Sequence, residues 1–359
     1  MVVGYALGNR NDQENDILVL GEDEPNIVTY SSSLLVNLSK ACVSNCQFCS
    51  FQRKEIMTVP YSTIKISKKA RLAGVREVMY TANSRPDQHS QIRSMLDLWG
   101  FSSYLDYLYT VCELGFLEGL IPVINLGFLT PVELKQLAEV SALVRIPLES
   151  KTDVIHESLH KWDAKQRLAR RKKNVEWASK LNMPISVSYS VFRNMAKGKQ
   201  KDFLEFVARA HQETGMIHEV VLENYVPAEH LKSNPFSAPT QDDMLNSFHM
   251  AKSILPEDVP VIVPVDKNDL TTFLKEGVRD LGQIVEYSTD YTGDHKEFDW
   301  ESLVSAVEAE GLQLQQRFPL RKSFIKEEKY SNKLGQVFDS YRYKIKKETQ
   351  EKAKESKVS

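Results

Sequence analysis

The order of hydrophobic runs along the chain is the sequence feature that most restricts its fold. From about residue 34 to about residue 311, short runs rich in valine and isoleucine alternate with amphipathic helical patterns. Such alternation indicates consecutive βαβ units and a parallel sheet. Eight segments have strand character, at 34–41, 77–83, 122–128, 142–150, 185–192, 218–226, 261–266 and, less regularly, 283–288. We therefore predict a (β/α) TIM-type barrel of six to eight parallel strands.

Helix signals between these runs support the same architecture. Several of the amphipathic patterns open with serine, threonine or aspartate and close with glycine, which are the residues preferred at helix ends. A β-sandwich would need turn signals every eight to twelve residues, and a helical bundle would lack the strand-like runs. We expect an N-terminal extension over 1–28, the barrel over 29–320, and a helical, polar C-terminal tail over 321–359.

Composition and charge restrict the class of protein. Apolar residues make up 42% and charged residues 26% of the chain, which is typical of a globular protein with a large core. The formal net charge of −2 provides no general basic field, so we expect no nucleic-acid partner. The most apolar stretch, 114–129, is interrupted by Glu118, Pro122 and Asn125, so we expect no membrane segment and a cytoplasmic location.

Three of the four cysteines lie close together. Cys42, Cys46 and Cys49 are spaced C-x3-C-x2-C within ACVSNCQFCSF, residues 41–51. The motif directly follows the first predicted strand, at the end of the barrel where such enzymes build their active sites. Cys112 lies apart from the motif in an apolar helical pattern, and we interpret it as a small core residue.

The ligand set of the motif favours an iron–sulfur cluster. Structural zinc sites have four ligands, and this segment offers three thiolates and no nearby histidine. Three thiolates can hold a [4Fe-4S] cluster whose fourth iron has no protein ligand, whereas electron-transfer ferredoxins use four cysteines. A zinc site and a cluster used only for electron transfer remain as alternatives.

The spacing, with Phe48 directly before the third cysteine, resembles the motif of radical S-adenosylmethionine enzymes. The resemblance implies a radical SAM (β/α) barrel. In that superfamily the open iron chelates the amino and carboxylate groups of S-adenosylmethionine. An electron from the reduced cluster then cleaves the sulfonium, and the resulting 5′-deoxyadenosyl radical takes a hydrogen atom from the substrate.

Over roughly residues 30–320 the chain resembles the CofG subunit family of 7,8-didemethyl-8-hydroxy-5-deazariboflavin synthase. The likeness is carried by CQFCSF, YTANSRPD, the stretch 104–130 with Asn125 and Gly127, PLESKTDVIHES, and IHEVVLENYVPA. It implies a lyase of deazaflavin (coenzyme F-420 chromophore) biosynthesis. Such an enzyme uses an adduct of tyrosine with 5-amino-6-(D-ribitylamino)uracil made by a CofH-type partner, requires an electron donor, and loses ammonia during ring closure.

The resemblance also implies functional residues, although it assigns no catalytic base. The predicted metal ligands are Cys42, Cys46 and Cys49; the predicted cofactor-binding residues are Phe48, Asn83, Glu149, Ser188 and Arg167; and the predicted substrate-binding residues are Asn125, His156 and Asn224.

Departures from the family pattern define an alternative. Asn83 and Ser84 replace a Gly-Glu pair after the second strand, and Tyr189, Phe192 and Arg193 add bulk where the family has a glycine-rich run. Residues 280–283 read Asp-Leu-Gly-Gln in place of Asp-Trp-Gly-Gly. These changes favour a diverged radical SAM paralogue that acts on another small molecule.

A basic helical stretch permits a further alternative. Lysines and arginines crowd residues 165–180, as expected for an RNA-binding stripe or for a solvated helix face. Leu168, Val175 and Ala178 form an apolar stripe at helical spacing, and no RNA-binding module accompanies the charge. We favour the solvated face, with a zinc- or RNA-binding barrel as the remaining hypothesis.

Overall fold

The computed structural model describes residues 24–41, 56–148, 164–226, 237–265, 267–289 and 298–355. The strands in this part of the chain are β1 (Ile27–Ser39), β2 (Glu77–Ala82), β3 (Ile121–Asn125), β4 (Leu143–Pro147), β5 (Ile185–Val191), β6 (Ile217–Asn224), β7 (Val261–Ile262), β8 (Asp280–Thr289) and β9 (Gln313–Gln316). The helices are α1 (Pro60–Leu72), α2 (Ser90–Leu98), α3 (Tyr104–Leu117), α4 (Pro131–Leu137), α5 (Ala164–Lys180), α6 (Lys197–Thr214), α7 (Gln241–Ile254), α8 (Leu270–Lys275), α9 (Trp300–Ala309), α10 (Lys322–Lys326) and α11 (Asn332–Glu355). A 3₁₀ turn covers Pro86–Gln88.

The strands form a nearly closed parallel barrel. Their order is β7-β6-β5-β4-β3-β2-β1-β8, and β9 pairs with the first four residues of β1. β7 and β8 approach each other at Gly282, where an added Cβ would lie 2.7 Å from the Ile262 Cγ2 atom. The prediction of a (β/α) barrel with eight parallel strands is confirmed.

Helix starts were predicted from capping residues, and the structure contains such caps at α3, α4 and α7, whereas α1 and α6 begin without a side-chain cap. The Ser103 hydroxyl accepts a hydrogen bond from the Asp106 backbone N–H at the start of α3. Thr130 and Thr240 each form a capping box at the first turn of α4 and α7. These side chains satisfy backbone N–H groups that have no partner within the helix, which fixes where each helix begins.

The main core lies between the outer face of the strands and the helices. It includes Val36, Ile124, Val187 and Leu222, all fully or almost fully buried. Cys112 of α3 belongs to this core, and burial raises the pKa of its thiol. Its interpretation as a core residue is confirmed.

The first strand is longer than the sequence pattern predicts. β1 begins at Ile27, whereas its apolar run begins at residue 34. Ser31 and Ser33 occupy inward positions of this early part and bind polar groups inside the barrel, so the segment lacks the alternation that identifies a strand.

A second apolar cluster closes the amino end of the barrel. Phe318, Leu320 and Phe324 pack with Leu334 and Phe338 of α11 against the inward side chains of β2, β3 and β4.

Among the helices described here, none combines the length and apolarity needed to cross a membrane.

Candidate active site at the barrel mouth

Strand alternation decides which side chains face the barrel interior. On β6, Glu219 accepts a hydrogen bond from Ser186 and lies 3.5 Å from Arg145, so all three residues point inward. Because side chains alternate along a strand, Val221 and Glu223 share the inner face with Glu219. Ser190 pairs with Glu223 in register and is inward for the same reason.

The same alternation identifies the mouth, defined here as the opening at the carboxyl ends of the strands. Val123 lines an internal cavity with Glu77, so Asn125 two residues later also faces inward. Thr81 pairs with Asn125 in register. The described inward residues of the mouth therefore include Asn37, Thr81, Asn125, Ser190 and Glu223. Asn125, predicted to bind substrate, lies at this opening and is partly exposed.

Asn83 holds the backbone at the end of β1. Its Nδ2 donates to the Lys40 carbonyl oxygen at 2.9 Å. Lys40 lies two residues before the first cysteine of the motif, so the predicted cofactor contact also secures the entry to the cysteine segment. Cys42, Cys46, Cys49 and Phe48 themselves lie outside the described residues.

The two ends of the cysteine segment are held together beside the mouth. The Ser39 hydroxyl donates to the Ile56 carbonyl oxygen at 2.9 Å, and Ser39 forms an antiparallel bridge with Met57. The backbone N–H of Thr58 donates to the carbonyl oxygen of Leu38 in β1 at 2.8 Å. The chain therefore leaves and re-enters the barrel at one point on the carboxyl edge of β1.

Ser188 lies deeper on the inner face of β5. It is 1% exposed, and its hydroxyl has no hydrogen-bond partner in the part of the chain described. A buried hydroxyl without a partner costs free energy that a bound polar group would recover. This geometry is compatible with the predicted cofactor contact at Ser188, which stays a prediction.

Asn224 faces away from the barrel interior. It occupies the outward parity of β6, and its carboxamide forms a reciprocal pair with Asn268 at 2.9 and 3.0 Å. Asn268 also donates to the Pro264 carbonyl oxygen at 2.7 Å. The predicted substrate contact at Asn224 is untested, and half of the hydrogen-bonding capacity of its side chain is used by Asn268.

Several basic side chains of helix α5 contact other parts of the same protein. Arg171 donates to the carbonyl oxygen of Pro147, the last residue of β4. Arg170 lies over the Phe128 ring and Lys172 over the Phe206 ring, at 5.7 and 4.8 Å from the ring centres.

Arg171 is a residue near the mouth that the sequence analysis did not identify, although its position one helical turn after Arg167 could have indicated it. The side chain of Arg167, together with Glu149 and His156, lies outside the described residues.

Tyr189 of β5 does not narrow the mouth. Tyr189 points outward, where its ring stacks on Phe203 of α6 with centres 4.4 Å apart and its hydroxyl donates to the Met195 sulfur. The expectation that Tyr189 adds bulk to the pocket is wrong, because odd and even residues of β5 face opposite sides.

The altered segment 280–283 also lies far from the mouth. Asp280 begins β8 at the amino end of the barrel, where it accepts hydrogen bonds from Arg317. Gln283 donates to the Ser33 hydroxyl and to the Glu77 carboxylate inside the barrel. This departure from the family pattern changes the closed end of the barrel and leaves the mouth untouched.

A buried charge network fills that closed end. Burial raises the pKa of Glu77 to about 7, against the opposing effects of Ser31, Arg145 and Arg317. Burial acts to raise the pKa of Glu219, but the neighbouring His218, Arg317 and Arg145 outweigh it and hold that pKa below the usual range. Burial lowers the pKa of His218 to about 4, and its Nε2 accepts the backbone N–H of Arg321 at 3.0 Å.

Several known proteins are similar to the chain in amino-acid sequence. No family model matches the chain. The 7,8-didemethyl-8-hydroxy-5-deazariboflavin synthase of Methanosarcina mazei is 28% identical over 316 residues, covering 86% of this chain and 93% of that protein. The protein of the same name from Archaeoglobus fulgidus is 28% identical over 321 residues, covering 88% and 97%. The chain is similar to these synthases over almost their whole length.

Solved structures with the same fold are similar to the chain. The hydrogenase maturase HydG from Carboxydothermus hydrogenoformans superposes with a TM-score of 0.61 at 16% identity, covering 81% of this chain and 68% of that one. Methylornithine synthase (PylB) gives a TM-score of 0.58 at 14% identity, covering 81% and 84%. At these identities the likeness concerns the barrel architecture alone.

Proposed function

We propose that the protein is a radical S-adenosylmethionine lyase that forms 7,8-didemethyl-8-hydroxy-5-deazariboflavin. Its substrate is the adduct of tyrosine with 5-amino-6-(D-ribitylamino)uracil, which loses ammonia during ring closure. The observation that carries the proposal is the similarity to synthases of that name over almost their whole length. A CofH-type enzyme that supplies the adduct and a low-potential electron donor belong to the same proposal.

The cysteines fit a [4Fe-4S] cluster by donor type and by the position of the segment that carries them. Cys42, Cys46 and Cys49 offer three thiolates between two chain ends that meet at the carboxyl edge of β1. When bound, the cluster and S-adenosylmethionine supply the 5′-deoxyadenosyl radical. The protein supplies the placement: Asn83 fixes the backbone before Cys42, and Asn125 and Ser190 present polar groups at the mouth.

The geometry weakens the case for a diverged paralogue. Two of the sequence departures that suggested a changed substrate do not face the mouth, since Tyr189 packs outward and residues 280–283 lie at the closed end. An unaltered substrate is therefore compatible with both changes.

Anaerobic reconstitution tests the proposal. The protein is loaded with iron and sulfide, reduced, and incubated with S-adenosylmethionine and the tyrosine–uracil adduct. We expect 5′-deoxyadenosine and a fluorescent deazaflavin in comparable amounts. Formation of 5′-deoxyadenosine without the deazaflavin would indicate another substrate, and a colourless zinc protein would contradict the radical mechanism.

Two cysteine variants provide a matched control. Cys46→Ala is expected to lose the iron, the brown colour and turnover. Cys112→Ala removes a buried thiol far from the motif, so it should keep its iron content and turnover while losing about 1–3 kcal/mol of stability.

A further inference from the structure

Glu223 is an inward-facing carboxylate at the barrel mouth. It shares the inner face of β6 with Glu219 and lies beside Ser190 of β5 in register. Glu219, four residues earlier, is bound by Ser186 and lies near Arg145 and Arg317. Glu223 has no hydrogen bond or ion pair within the described residues, although its side chain is only partly exposed.

The backbone that carries Glu223 is held in place. β6 pairs with β5 as far as Val191 and Asn224, and the backbone N–H of Tyr225 donates to the Val191 carbonyl oxygen at 2.9 Å. On the outer side, the Asn224 carboxamide is bound by Asn268. The strand end is therefore fixed on both sides, while the Glu223 carboxylate has no partner among the described residues.

The inward neighbour of Glu223 on β5 is electrically neutral. Ser190 pairs with Glu223 in register, and the inward side chains described at the ends of β1, β2 and β3 are the neutral residues Asn37, Thr81 and Asn125. The inward arginine of β4, Arg145, lies at the level of Glu219 and Ser186, closer to the closed end. A partly desolvated carboxylate among neutral groups favours a ligand that brings positive charge or strong N–H donors.

We propose that Glu223 binds the substrate amino group that departs as ammonia. The assignment rests on the proposed function, in which the substrate carries such an amine. A charge-assisted hydrogen bond from the amine to the carboxylate would orient that end of the substrate toward β6. Glu223 would thus be a specificity-determining residue, which distinguishes the amine-bearing adduct from analogues without nitrogen at that position.

Binding measurements on the anaerobic reconstituted protein test the assignment. The probes are the tyrosine–uracil adduct and its deamino analogue, titrated into the wild type and into Glu223→Gln. We expect Glu223→Gln to weaken binding of the adduct by about tenfold or more and to leave binding of the deamino analogue unchanged. Glu223→Asp, which keeps the charge, should recover part of the affinity.

Glu205→Gln is the matched control, since it makes the same substitution on the exposed face of α6, where Glu205 lies 3.6 Å from Lys201. It should bind both probes as the wild type does. Equal affinity of Glu223→Gln and the wild type for the adduct would overturn the assignment. So would equal weakening for both probes, or a wild type that binds neither.

These outcomes separate the assignment from the proposed function. A wild type that binds the adduct through Glu223 but forms no deazaflavin contradicts the function and leaves the binding role intact. A wild type that forms deazaflavin while Glu223→Gln retains normal affinity contradicts the binding role alone.

Discussion

The Arg317 guanidinium binds the Asp280 carboxylate: its Nε lies 3.1 Å from each of the two carboxylate oxygens. Its Nη2 lies 3.6 Å from the Glu219 carboxylate of β6. Arg317 follows β9, beyond the last strand of the barrel wall, and its side chain is 2% exposed. One residue of the C-terminal segment therefore joins β6 and β8 at the closed end.

Loss of this arginine should destabilise the barrel strongly. Arg317→Met leaves the carboxylates of Asp280 and Glu219 with less compensating charge, and we expect a loss of about 3–5 kcal/mol in the free energy of unfolding. Urea denaturation followed by circular dichroism measures it. Arg342→Ala removes an exposed ion pair with Asp339 and should cost less than about 1 kcal/mol. Equal effects of the two substitutions would show that the buried network contributes little.

Glu77 should make stability depend on pH in a predictable direction. Its pKa is raised by burial to about 7, against an ordinary value of 4.5. The native state therefore holds the proton more tightly than the unfolded state does. The contribution of Glu77 to stability is complete below pH 4.5 and is lost as the pH rises through 7.

Glu77→Gln replaces the carboxyl group by an amide of similar shape, which is uncharged at every pH as the protonated carboxyl is. We expect the variant to gain stability relative to the wild type between pH 5 and pH 8, by an amount on the order of 1–3 kcal/mol at pH 8. The two proteins should unfold at similar denaturant concentrations near pH 4.5. A difference between them that stays constant from pH 5 to pH 8 would contradict the buried, protonated state of Glu77.

Strand and helix positions were largely predictable, because the outer face of each strand and the inner face of each helix meet in one apolar core. The early part of β1 and the closed-end network were not. Ser31, Glu77 and Arg145 are polar residues at inward positions, and only the folded barrel brings them together. A sequence pattern cannot distinguish a polar barrel interior from a loop.

At the mouth, the sequence did not indicate which predicted residues face inward: Asn125 and Ser188 do, whereas Asn224 does not. Asn224 was predicted to contact substrate, whereas strand alternation gives the inner face to its neighbour Glu223. The parity of β6 follows from the ion pair of Glu219 with Arg145, a long-range contact that is absent from the local pattern.

Gly127 should tolerate no side chain. Its φ is +73°, and an added Cβ would lie 2.8 Å from the Ser84 hydroxyl oxygen and 3.2 Å from the Ser84 Cα. Gly127→Ala therefore combines backbone strain with a steric overlap between the loops that follow β2 and β3. We expect a loss of about 2 kcal/mol or more in the free energy of unfolding.

Gly311 separates the two causes. Its φ is +71°, and an added Cβ would meet nothing within 4 Å. Gly311→Ala should therefore show the backbone cost alone, about 1 kcal/mol. The double variant Ser84→Gly with Gly127→Ala should recover part of the excess. If the two single glycine variants are equally stable, the contact with Ser84 has no energetic importance.

Neighbouring residues of β5 should differ in their effect on cofactor binding, because they face opposite sides of the barrel wall. Tyr189→Phe removes a hydroxyl that donates to Met195 in the outer layer, so affinity for S-adenosylmethionine and turnover should stay unchanged. Ser188→Ala removes an inward hydroxyl that has no partner among the described residues, and it should weaken binding of S-adenosylmethionine several-fold because the predicted hydrogen bond to the cofactor is lost. Equilibrium binding to the reconstituted protein measures both variants. A loss of affinity in Tyr189→Phe comparable to that in Ser188→Ala would show that the two faces of β5 are not separated in this way.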